Sequence, residues 1–282
     1  AIPEKGNPAG VVLSGKDFSD IQMQAIAAAV GFNETAFVLP SAIADFQIRY
    51  FTPGHENNLC GHATIGTIFA LLREGKLDKK EFMIETKAGV LPISIYEKNH
   101  QTFITMQHAA PQFVPFEESL KTLAEAIGLQ EQDIDTDYPT LYGSTGIWTL
   151  IVPIRDLASF GKMKPQTATF PSILKEMPKM SIHPVCLDVR DMESTMHGRH
   201  FSSPYSGTIE DAVTGTASGV MGAYYKKYVN PLLSLPATLI VEQGHEIGKD
   251  GKVFVHVSGT AEQLDISISG TAVYVKDIEL VI

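Results

Sequence analysis

The sequence is poor in cysteine, with only Cys60 and Cys186, which stand in separate halves of its 282 residues. A disulfide scaffold needs more cysteines at closer spacing, so that class of small secreted protein is excluded, and we expect two free thiols in a reducing compartment. No segment has low complexity, and no apolar run approaches the roughly 18 residues that a membrane-spanning helix needs. We therefore expect no membrane partner.

Basic residues are also scarce: 22 lysines and arginines stand against 32 aspartates and glutamates, which gives a formal charge of −10. A polyanion would be repelled by this excess of negative charge, so we expect no nucleic acid partner. The first ten residues, AIPEKGNPAG, lack the charged and then apolar pattern of a signal peptide. These features together favour a soluble cytoplasmic protein.

Hydrophobic residues make up 44% of the chain, enough for two ordinary domains with a core each. Ser19 and Gln22 form a capping-box pattern that starts a helix, and Gly31 provides a natural end to it. A second helix is predicted from Gly61 to about Arg73. Because its apolar residues occupy nearly every side, we expect this helix to be buried.

Alternating or apolar segments between turn signals predict strands in both halves. The segment HAAPQFVPFEESL carries two prolines and no clear period, so we place a domain boundary near residue 112. The predicted domains are 1–112 and 113–282, and the last strand of the second may return to the first. The strand candidates are NETAFVLP, FQIRYF, FMIETKAGVLPISIYEKNHQTFITMQ, GIWTLIVPI, IHPVCLDV, ATLIVEQG, KVFVHVSG, LDISISG and TAVYVKDIELVI.

An internal repeat links the two halves. ENNLCGHAT aligns with EDAVTGTAS, and upstream RYFT aligns with RHFS. Both copies stand between a strand and a buried helix, and the distance between them is about half the chain. We therefore expect two similar domains, each a curved, largely antiparallel sheet around one central helix, with the two helix N-termini facing a shared cleft.

This arrangement has a chemical consequence. The first-turn amides of a helix lack partners within the helix and carry roughly half a positive charge. Two such ends at one cleft would bind a small anion, which implies a substrate that bears a carboxylate.

The run CGH at the start of the first buried helix allows several interpretations. A metal site of His55, Cys60 and His62 would need a fourth ligand, and the repeat offers none at its equivalent positions, so we expect no metal. Cys60 could be a nucleophile, because a helix N-terminus lowers the pKa of a thiol. It could also be a small buried residue that closes the turn.

A racemase with two thiols is disfavoured, because Thr214 stands at the position that matches Cys60 and threonine is not a base near neutral pH. Acid-base chemistry would then depend on other groups. Two carboxylates are candidates: Glu34, between a helix and a strand, and Asp211, just before the second buried helix. The alternative for each is a solvated carboxylate in a loop.

Several motifs together resemble the PhzF-like family, named for an isomerase of phenazine biosynthesis. They occur in the family's order and span most of the chain. The resemblance implies an α+β fold of the diaminopimelate epimerase type, with two similar domains that each wrap a barrel-like sheet around a central helix. The motifs are GNPAGVV, NETAFV, RYFTP, LCGHAT, RHFSSP, EDAVTGTASG and VEQGHEIGK.

The same resemblance implies roles for individual residues. Glu34 would be the acid-base residue, and His62, Asp211 and Thr216 would be partners that bind and orient the substrate, with His62 and Asp211 assigned to the catalytic group. Cys60 matches the catalytic cysteine of thiol-dependent relatives, and we interpret it as a remnant beside the substrate. The amides at Gly61 and Gly215 complete the predicted substrate-binding set. No cofactor is expected, and a homodimer is.

Three positions depart from the family pattern: Asn58, Ala212 and Thr216 stand where an acidic residue, a proline and a serine are usual. Because these positions lie near the substrate, they bear on which substrate is bound more than on the chemistry. Family members also carry a strand before GNPAG, so we expect that strand to lie outside this sequence or the sheet edge to be built differently.

The sequence thus favours a cofactor-independent isomerase that moves a proton on a small, cyclic carboxylic acid. Two rivals stay open. One is an epimerase or racemase that uses Cys60 with a partner that is not a thiol. The other is a module that binds a small molecule or a protein on the same scaffold without turnover.

Overall fold

The computed structural model describes residues 2–280, and the chain groups into two compact units. The first unit runs to Gln107 and takes in the chain again from Ile268; the second is His108–Ser267. The boundary between the units lies near the predicted one at residue 112, and the prediction that 1–112 and 113–282 are separate domains stays a prediction. Among residues 2–280, no helix has the length and apolar character that crossing a bilayer requires.

The first unit is a mixed, mainly antiparallel sheet with two helices. Strand β1 runs parallel to β2, β2 pairs antiparallel with β3, and β5, β6 and β7 form the predicted meander. Its strands are β1 Ala9–Val12, β2 Glu34–Leu39, β3 Phe46–Phe51, β4 Glu56–Asn57, β5 Glu81–Thr86, β6 Gly89–Lys98 and β7 Gln101–Gln107, and its helices are α1 Asp20–Val30 and α2 Gly61–Arg73.

The second unit adds ten strands and four helices, with β17 crossing the boundary between the units in the sequence. Its strands are β8 Gln112–Pro115, β9 Leu141–Ser144, β10 Trp148–Pro153, β11 Ser181–Cys186, β12 Met196–Gly198, β13 His200–Phe201, β14 Glu210–Asp211, β15 Ala237–Gln243, β16 Gly251–Gly259 and β17 Leu264–Gly270. Its helices are α3 Leu120–Ala126, α4 Leu157–Phe160, α5 Phe170–Ile173 and α6 Gly215–Tyr224.

Helix α1 begins and ends where its sequence signals predict. The Ser19 hydroxyl accepts from the Gln22 amide while the Gln22 side chain accepts from the Ser19 amide, and Gly31 closes the helix at φ +70°. A left-handed conformation of this kind is open to glycine without steric cost. The buried face of the helix packs against Phe37 and Phe51 in one apolar cluster.

Helices α2 and α6 are the buried centres of their units, as predicted. All ten residues of α6 are buried, and its glycines permit very close packing. A Cβ on Gly219 would lie 2.4 Å from Nδ1 of His108, and one on Gly222 would lie 2.4 Å from Val255. Since real Cβ contacts are never this short, larger residues at these positions would force the surrounding strands apart.

The two units repeat one strand arrangement, in agreement with the sequence alignment. Strand β1 runs parallel to β2 as β10 does to β11. Strand β2 pairs with β3 as β11 does with β13. The short hairpins also match, since Phe51 pairs with Glu56 in one unit and Phe201 with Glu210 in the other. Each hairpin leads within a few residues to the N-terminus of a central helix.

The strand predicted for TAVYVKDIELVI is wrong for residues 271–280, which form neither helix nor strand. Side chains anchor the segment instead. The Tyr274 ring stacks on the guanidinium group of Arg73, 3.6 Å from its centroid, and Leu280 packs against the cluster around α1. The alternating pattern therefore produces neither a strand ladder nor a buried face here, since Val273, Val275 and Ile278 are exposed. Val281 and Ile282 lie outside the described residues.

Candidate active site

In the first unit, the structure brings together three residues that the sequence singled out: Glu34, Cys60 and His62. Glu34 is the first residue of β2, Cys60 is the N-cap of α2, and His62 lies in the first turn of that helix. Oε2 of Glu34 lies 3.4 Å from Nε2 of His62, and their side chains are 14% and 12% exposed. A mostly buried carboxylate thus faces an imidazole in a position that still reaches solvent.

Two amide side chains complete this group. Asn57 donates from Nδ2 to Oε1 of Glu34 at 3.1 Å, so each carboxylate oxygen of Glu34 faces a side chain with N–H groups. Nδ2 of Asn7 lies 3.0 Å from Nδ1 of His62. Because an amide nitrogen only donates, Nδ1 accepts, and the neutral ring then carries its proton on Nε2, toward Glu34. The ring is thereby oriented as a donor to the carboxylate.

The Cys60 thiol lies 3.3 Å from Nδ1 of His62 and 4.0 Å from its Nε2. Cys60 is the N-cap of α2 and its backbone is extended. Its side chain makes no capping hydrogen bond to this helix among the described residues. Its carbonyl accepts from the Thr64 hydroxyl at 2.6 Å, which tightens the first turn. The thiol is therefore a neighbour of the imidazole. Its position suits both a nucleophile and a residue that only packs.

One ligand atom each from Glu34, Cys60 and His62 lies within 4.8 Å of the others, so these three could hold a cation. His55, the third member of the metal set considered from sequence, instead lies beside the Thr52 hydroxyl, 3.3 Å from its Nδ1. The expectation that this protein uses no metal stays a prediction.

In the second unit, Asp211 closes β14 and is 9% exposed. Thr214 donates from Oγ1 to Oδ2 of Asp211 at 2.6 Å, across the turn that leads into α6. Gln243 fixes this turn from β15: its Nε2 donates to the Asp211 carbonyl at 2.7 Å, and its Oε1 accepts from the Thr214 amide at 3.1 Å. Asp211 is thus held by a short network of buried residues.

Gly215 and Thr216 open α6, and both are buried. The N-cap Thr214 makes no side-chain cap within the described chain, because its hydroxyl is directed to Asp211. The Thr216 carbonyl accepts from the Thr145 hydroxyl at 3.4 Å. The structure therefore places Asp211, Gly215 and Thr216 at one end of α6, as it places Glu34, Gly61 and His62 at the start of α2.

An arginine and a glutamate brace each hairpin. Arg49 binds both oxygens of Glu56, at 2.7 and 2.9 Å, and Arg199 binds both oxygens of Glu210, at 2.9 and 2.6 Å. Each glutamate directly precedes a site residue, Asn57 or Asp211. Bidentate arginine–carboxylate pairs of this kind are strong and directional, so they fix the register of the short hairpins.

Sequence reasoning missed four contributors: Asn7, Asn57, Gln243 and the arginine–glutamate pairing. Asn7 lies inside GNPAG and Gln243 inside VEQGHEIGK, so both stand in motifs that carried the resemblance. The alignment of the two halves matches arginine with arginine and glutamate with glutamate, but it does not show that the arginine of each half pairs with its glutamate. A repeated Arg and Glu at equivalent positions was the signal that could have revealed the pair.

Comparison with known proteins gives a family. The family model described as phenazine biosynthesis-like protein matches residues 1–277. A protein described as an uncharacterized isomerase, YfhB of Bacillus subtilis (strain 168), is 51% identical over 96% of this chain and 92% of its own length. The trans-2,3-dihydro-3-hydroxyanthranilate isomerase of Pseudomonas aeruginosa is 27% identical over 95% of this chain and 91% of its own.

Solved structures agree. The crystal structure of a phenazine biosynthesis protein of the PhzF family from Bacillus anthracis has a TM-score of 0.95 and 55% identity, and covers 100% of this chain and 95% of that one. A probable proline racemase from Agrobacterium radiobacter, 12% identical, gives a TM-score of 0.60 with 90% and 79% covered, which shows the shared fold alone. The α+β fold of the diaminopimelate epimerase type is confirmed, and the chain belongs to the phenazine biosynthesis-like family.

Proposed function

We propose that this member of the phenazine biosynthesis-like family is a cofactor-independent isomerase that moves a proton between carbons of a small, cyclic carboxylic acid, with Glu34 as the proton shuttle. The observation that carries the proposal is the contact of Glu34 with His62 and Asn57. The names of the relatives support the isomerase class, since both curated relatives described above are called isomerases.

Glu34 suits the role of a base that becomes an acid. As a carboxylate it takes a proton from a substrate carbon, and the electron pair of the broken C–H bond shifts a double bond along the ring. The protonated carboxyl group then gives the proton to another carbon, which restores the carboxylate and consumes no co-reactant. The hydrogen bond from Asn57 to Oε1 and the nearby His62 ring at Oε2 keep the carboxyl group in one orientation through both steps.

His62 and Asn57 act on Glu34 in different ways. The imidazole Nε2 carries a proton toward Oε2, while the Asn57 amide binds Oε1. The ring lies 3.4 Å from Oε2, close enough to respond to the charge of Glu34 as the carboxyl group gains and loses its proton. Asn7 holds the ring tautomer from the other side.

For the substrate carboxylate, we retain the predicted binders. The first-turn amides of α2 and α6, beginning at Gly61 and Gly215, attract an anion through the helix dipole. Neither N-cap side chain, Cys60 or Thr214, caps its helix among the described residues. Asp211 and Thr216 are proposed to bind and orient the substrate, and the groove shared by the two helix ends stays a prediction.

The test uses trans-2,3-dihydro-3-hydroxyanthranilate, the compound in the name of the Pseudomonas aeruginosa relative, and a panel of cyclic carboxylic acids. A ligand that raises the melting temperature identifies a binder, because it stabilises only the folded state. Proton NMR then follows the shift of the double bond. Conversion by the wild type and its loss in Glu34→Gln would support the proposal, and conversion at an unchanged rate in that variant would overturn it.

The Cys60–His62 contact favours one second candidate, an epimerase that uses the thiol with a partner that is not a thiol. Loss of exchange at a chiral carbon in Cys60→Ala, with exchange retained in Glu34→Gln, would select it. Binding of an acid without any exchange, in both variants and in the wild type, would select the non-catalytic module.

A further inference from the structure

A second group of chemically active side chains lies in the second unit, outside the residues assigned above. We name it the His197 cluster: His197, Glu242, His245 and Glu246. His197 on β12 and Glu242 on β15 are direct neighbours in a parallel pairing. His245 and Glu246 lie in the 3₁₀ turn His245–Ile247 that follows β15. The fold thus brings together residues that are far apart in the sequence.

The polar side-chain atoms of the His197 cluster lie close to one another. Nδ1 of His197 lies 2.8 Å from Oε1 of Glu242, and Nε2 of His245 lies 3.9 Å from Oε2 of Glu242. One ligand atom from each of these three residues lies within 4.8 Å of the others. In a tetrahedral zinc site with bonds near 2.0–2.1 Å, ligand atoms stand roughly 3.3 Å apart, so the three side chains would adjust toward that separation when the ion binds.

The surroundings supply the outer contacts that bound metals need. The other ring nitrogen of His197, Nε2, lies 3.2 Å from Glu246, which Arg190 in turn binds at 2.8 Å. The backbone amides of Arg190 and Asp191 donate to the two oxygens of Glu242, at 2.6 and 2.9 Å. A carboxylate on the far nitrogen of a ligating histidine is the usual arrangement, because it fixes the ring and its tautomer.

The burial of these side chains also suits a metal site that is shielded from solvent on all but one side. The side chains of His197 and Glu242 are 0% exposed, whereas that of His245 is 25% exposed and gives access from solvent. Phe160 packs against the ring of His197 in an edge-to-face contact, with the two ring centroids 4.7 Å apart.

From these contacts we propose that His197 Nδ1, Glu242 and His245 Nε2 bind a divalent transition metal, for which Zn²⁺ is the best match, with Glu246 as the carboxylate that orients His197. Two imidazoles and one carboxylate are a common zinc ligand set, and they leave a fourth position for water. This inference is independent of the isomerase proposal, since it uses none of the residues assigned to proton transfer.

The His197 cluster is joined to the Asp211 network through one strand. Gln243, the residue after Glu242, donates to the Asp211 carbonyl and accepts from the Thr214 amide. An ion that fixes Glu242 and His245 on either side of Gln243 stabilises the segment that holds this network. The role implied for the metal is structural support of the second unit.

The competing explanation is a cluster without metal, in which His197 contacts Glu242 through Nδ1 and Glu246 through Nε2. The same distances serve both arrangements, so binding decides between them. In the cluster without metal, added zinc finds no high-affinity site at these residues.

The experiment measures Zn²⁺ binding by calorimetry on the whole chain after treatment with EDTA. The Cys60→Ala background removes a ligand from the other possible cluster, Glu34, Cys60 and His62. We expect one equivalent bound with Kd about 1 μM or tighter. His245→Ala should weaken binding more than about 100-fold, and Glu246→Gln about 10- to 100-fold, as losses of oriented outer carboxylates do.

His256→Ala is the matched control, since His256 lies on the adjacent strand β16, beside Thr238, outside the cluster. It should bind zinc as the parent does. Cobalt absorption in the visible range reports four-coordinate binding without any variant in the cluster, so the result does not depend on whether His245→Ala folds. Failure to bind zinc below about 100 μM, or binding that His245→Ala leaves unchanged, would overturn the proposal.

Discussion

The two hairpins that lead to the central helices share a frame and differ in chemistry. Strands β3–β4 and β13–β14 have the same register and the same arginine–glutamate brace. After the glutamate, however, one unit has Asn57 and the other Asp211. At the helix N-cap, one has Cys60 and the other Thr214.

This difference shows that two repeated structural units place their carboxylates on different strands. In the first unit the carboxylate is Glu34 on β2, and the hairpin supplies an amide to hold it. In the second unit the hairpin itself supplies the carboxylate, Asp211, and the matching position on β11 is Ser181, which only donates to Thr149 at 2.7 Å. The two hairpins therefore keep the same register, while the carboxylate lies on β2 in the first unit and on β14 in the second.

The largest expected effect separates the two matching positions Glu34 and Ser181. Glu34→Gln keeps the size of the side chain but removes the base, so kcat on the identified substrate should fall about 10²- to 10⁴-fold. Ser181→Ala should change kcat by less than about tenfold, because the proposal gives Ser181 no part in proton transfer. Steady-state kinetics checks both, and equal losses would break the proposed asymmetry.

The arginine braces should differ in their contribution to stability. Arg199 and Glu210 are 7% and 10% exposed, against 16% and 13% for Arg49 and Glu56. Arg199→Met leaves a nearly buried carboxylate without its partner and should cost about 3–5 kcal/mol. Arg49→Met should cost less, about 1–3 kcal/mol, since Lys87 still contacts Glu56.

Urea unfolding measures both free energies of unfolding. The reverse order of the two losses would show that burial does not decide the strength of these pairs.

Acid should destabilise the second unit through its buried histidines. Burial lowers the pKa of His108 to about 4, and it also lowers the pKa of His183 and His200. An unfolded histidine titrates near pH 6.5, so between about pH 6.5 and 4 the unfolded chain binds a proton that native His108 does not. Stability is therefore lost as the pH falls through this window, by at most about 3 kcal/mol from His108.

Unfolding of His108→Gln at pH 7 and pH 4.5 tests this assignment. The variant should lose less stability between the two pH values than the wild type does. An identical pH dependence in both proteins would exclude His108 as a source of acid sensitivity. In the first unit Tyr50 stands at the position that matches His200, and burial raises its pKa, so it stays neutral across the same window.

The smallest expected effects distinguish the two helix N-caps. Thr214→Val removes the donor to Asp211 and should lower the free energy of unfolding by about 2 kcal/mol, as for hydrogen bonds to charged groups. Cys60→Ala removes a thiol contact with His62 and should cost about 1 kcal/mol or less. Thermal unfolding checks both, and a larger loss for Cys60→Ala would indicate that the thiol has a structural role.

Local signals in the sequence predicted local structure well. The capping box of Ser19 and Gln22, the end at Gly31 and the buried helix from Gly61 each depend on a few neighbouring residues. The repeat also predicted that both halves would lead from a strand into a buried helix in the same way, and its aligned residues lie at equivalent ladder positions.

Contacts across long stretches of sequence could not be predicted in this way. Gln243 reaches Asp211 because β15 lies beside the start of α6, and His197 meets Glu242 through a parallel pairing. The segment from Thr271 shows the opposite error: its alternating pattern suggested a strand, but Tyr274 is held by a stacking contact with Arg73. Tertiary packing decided these cases, and it leaves no local pattern.

The most direct measurement is deuterium exchange into the substrate in D₂O, compared among the wild type, Cys60→Ala and Glu34→Gln by NMR. The proposed shuttle predicts that the product forms in the wild type and in Cys60→Ala, with its receiving carbon carrying either the substrate's own proton or deuterium that Glu34 exchanged with the solvent. In Glu34→Gln neither should be found above the buffer control. Equal product formation in Glu34→Gln, or its loss in Cys60→Ala alone, would contradict the assignment of Glu34 as the group that carries the proton.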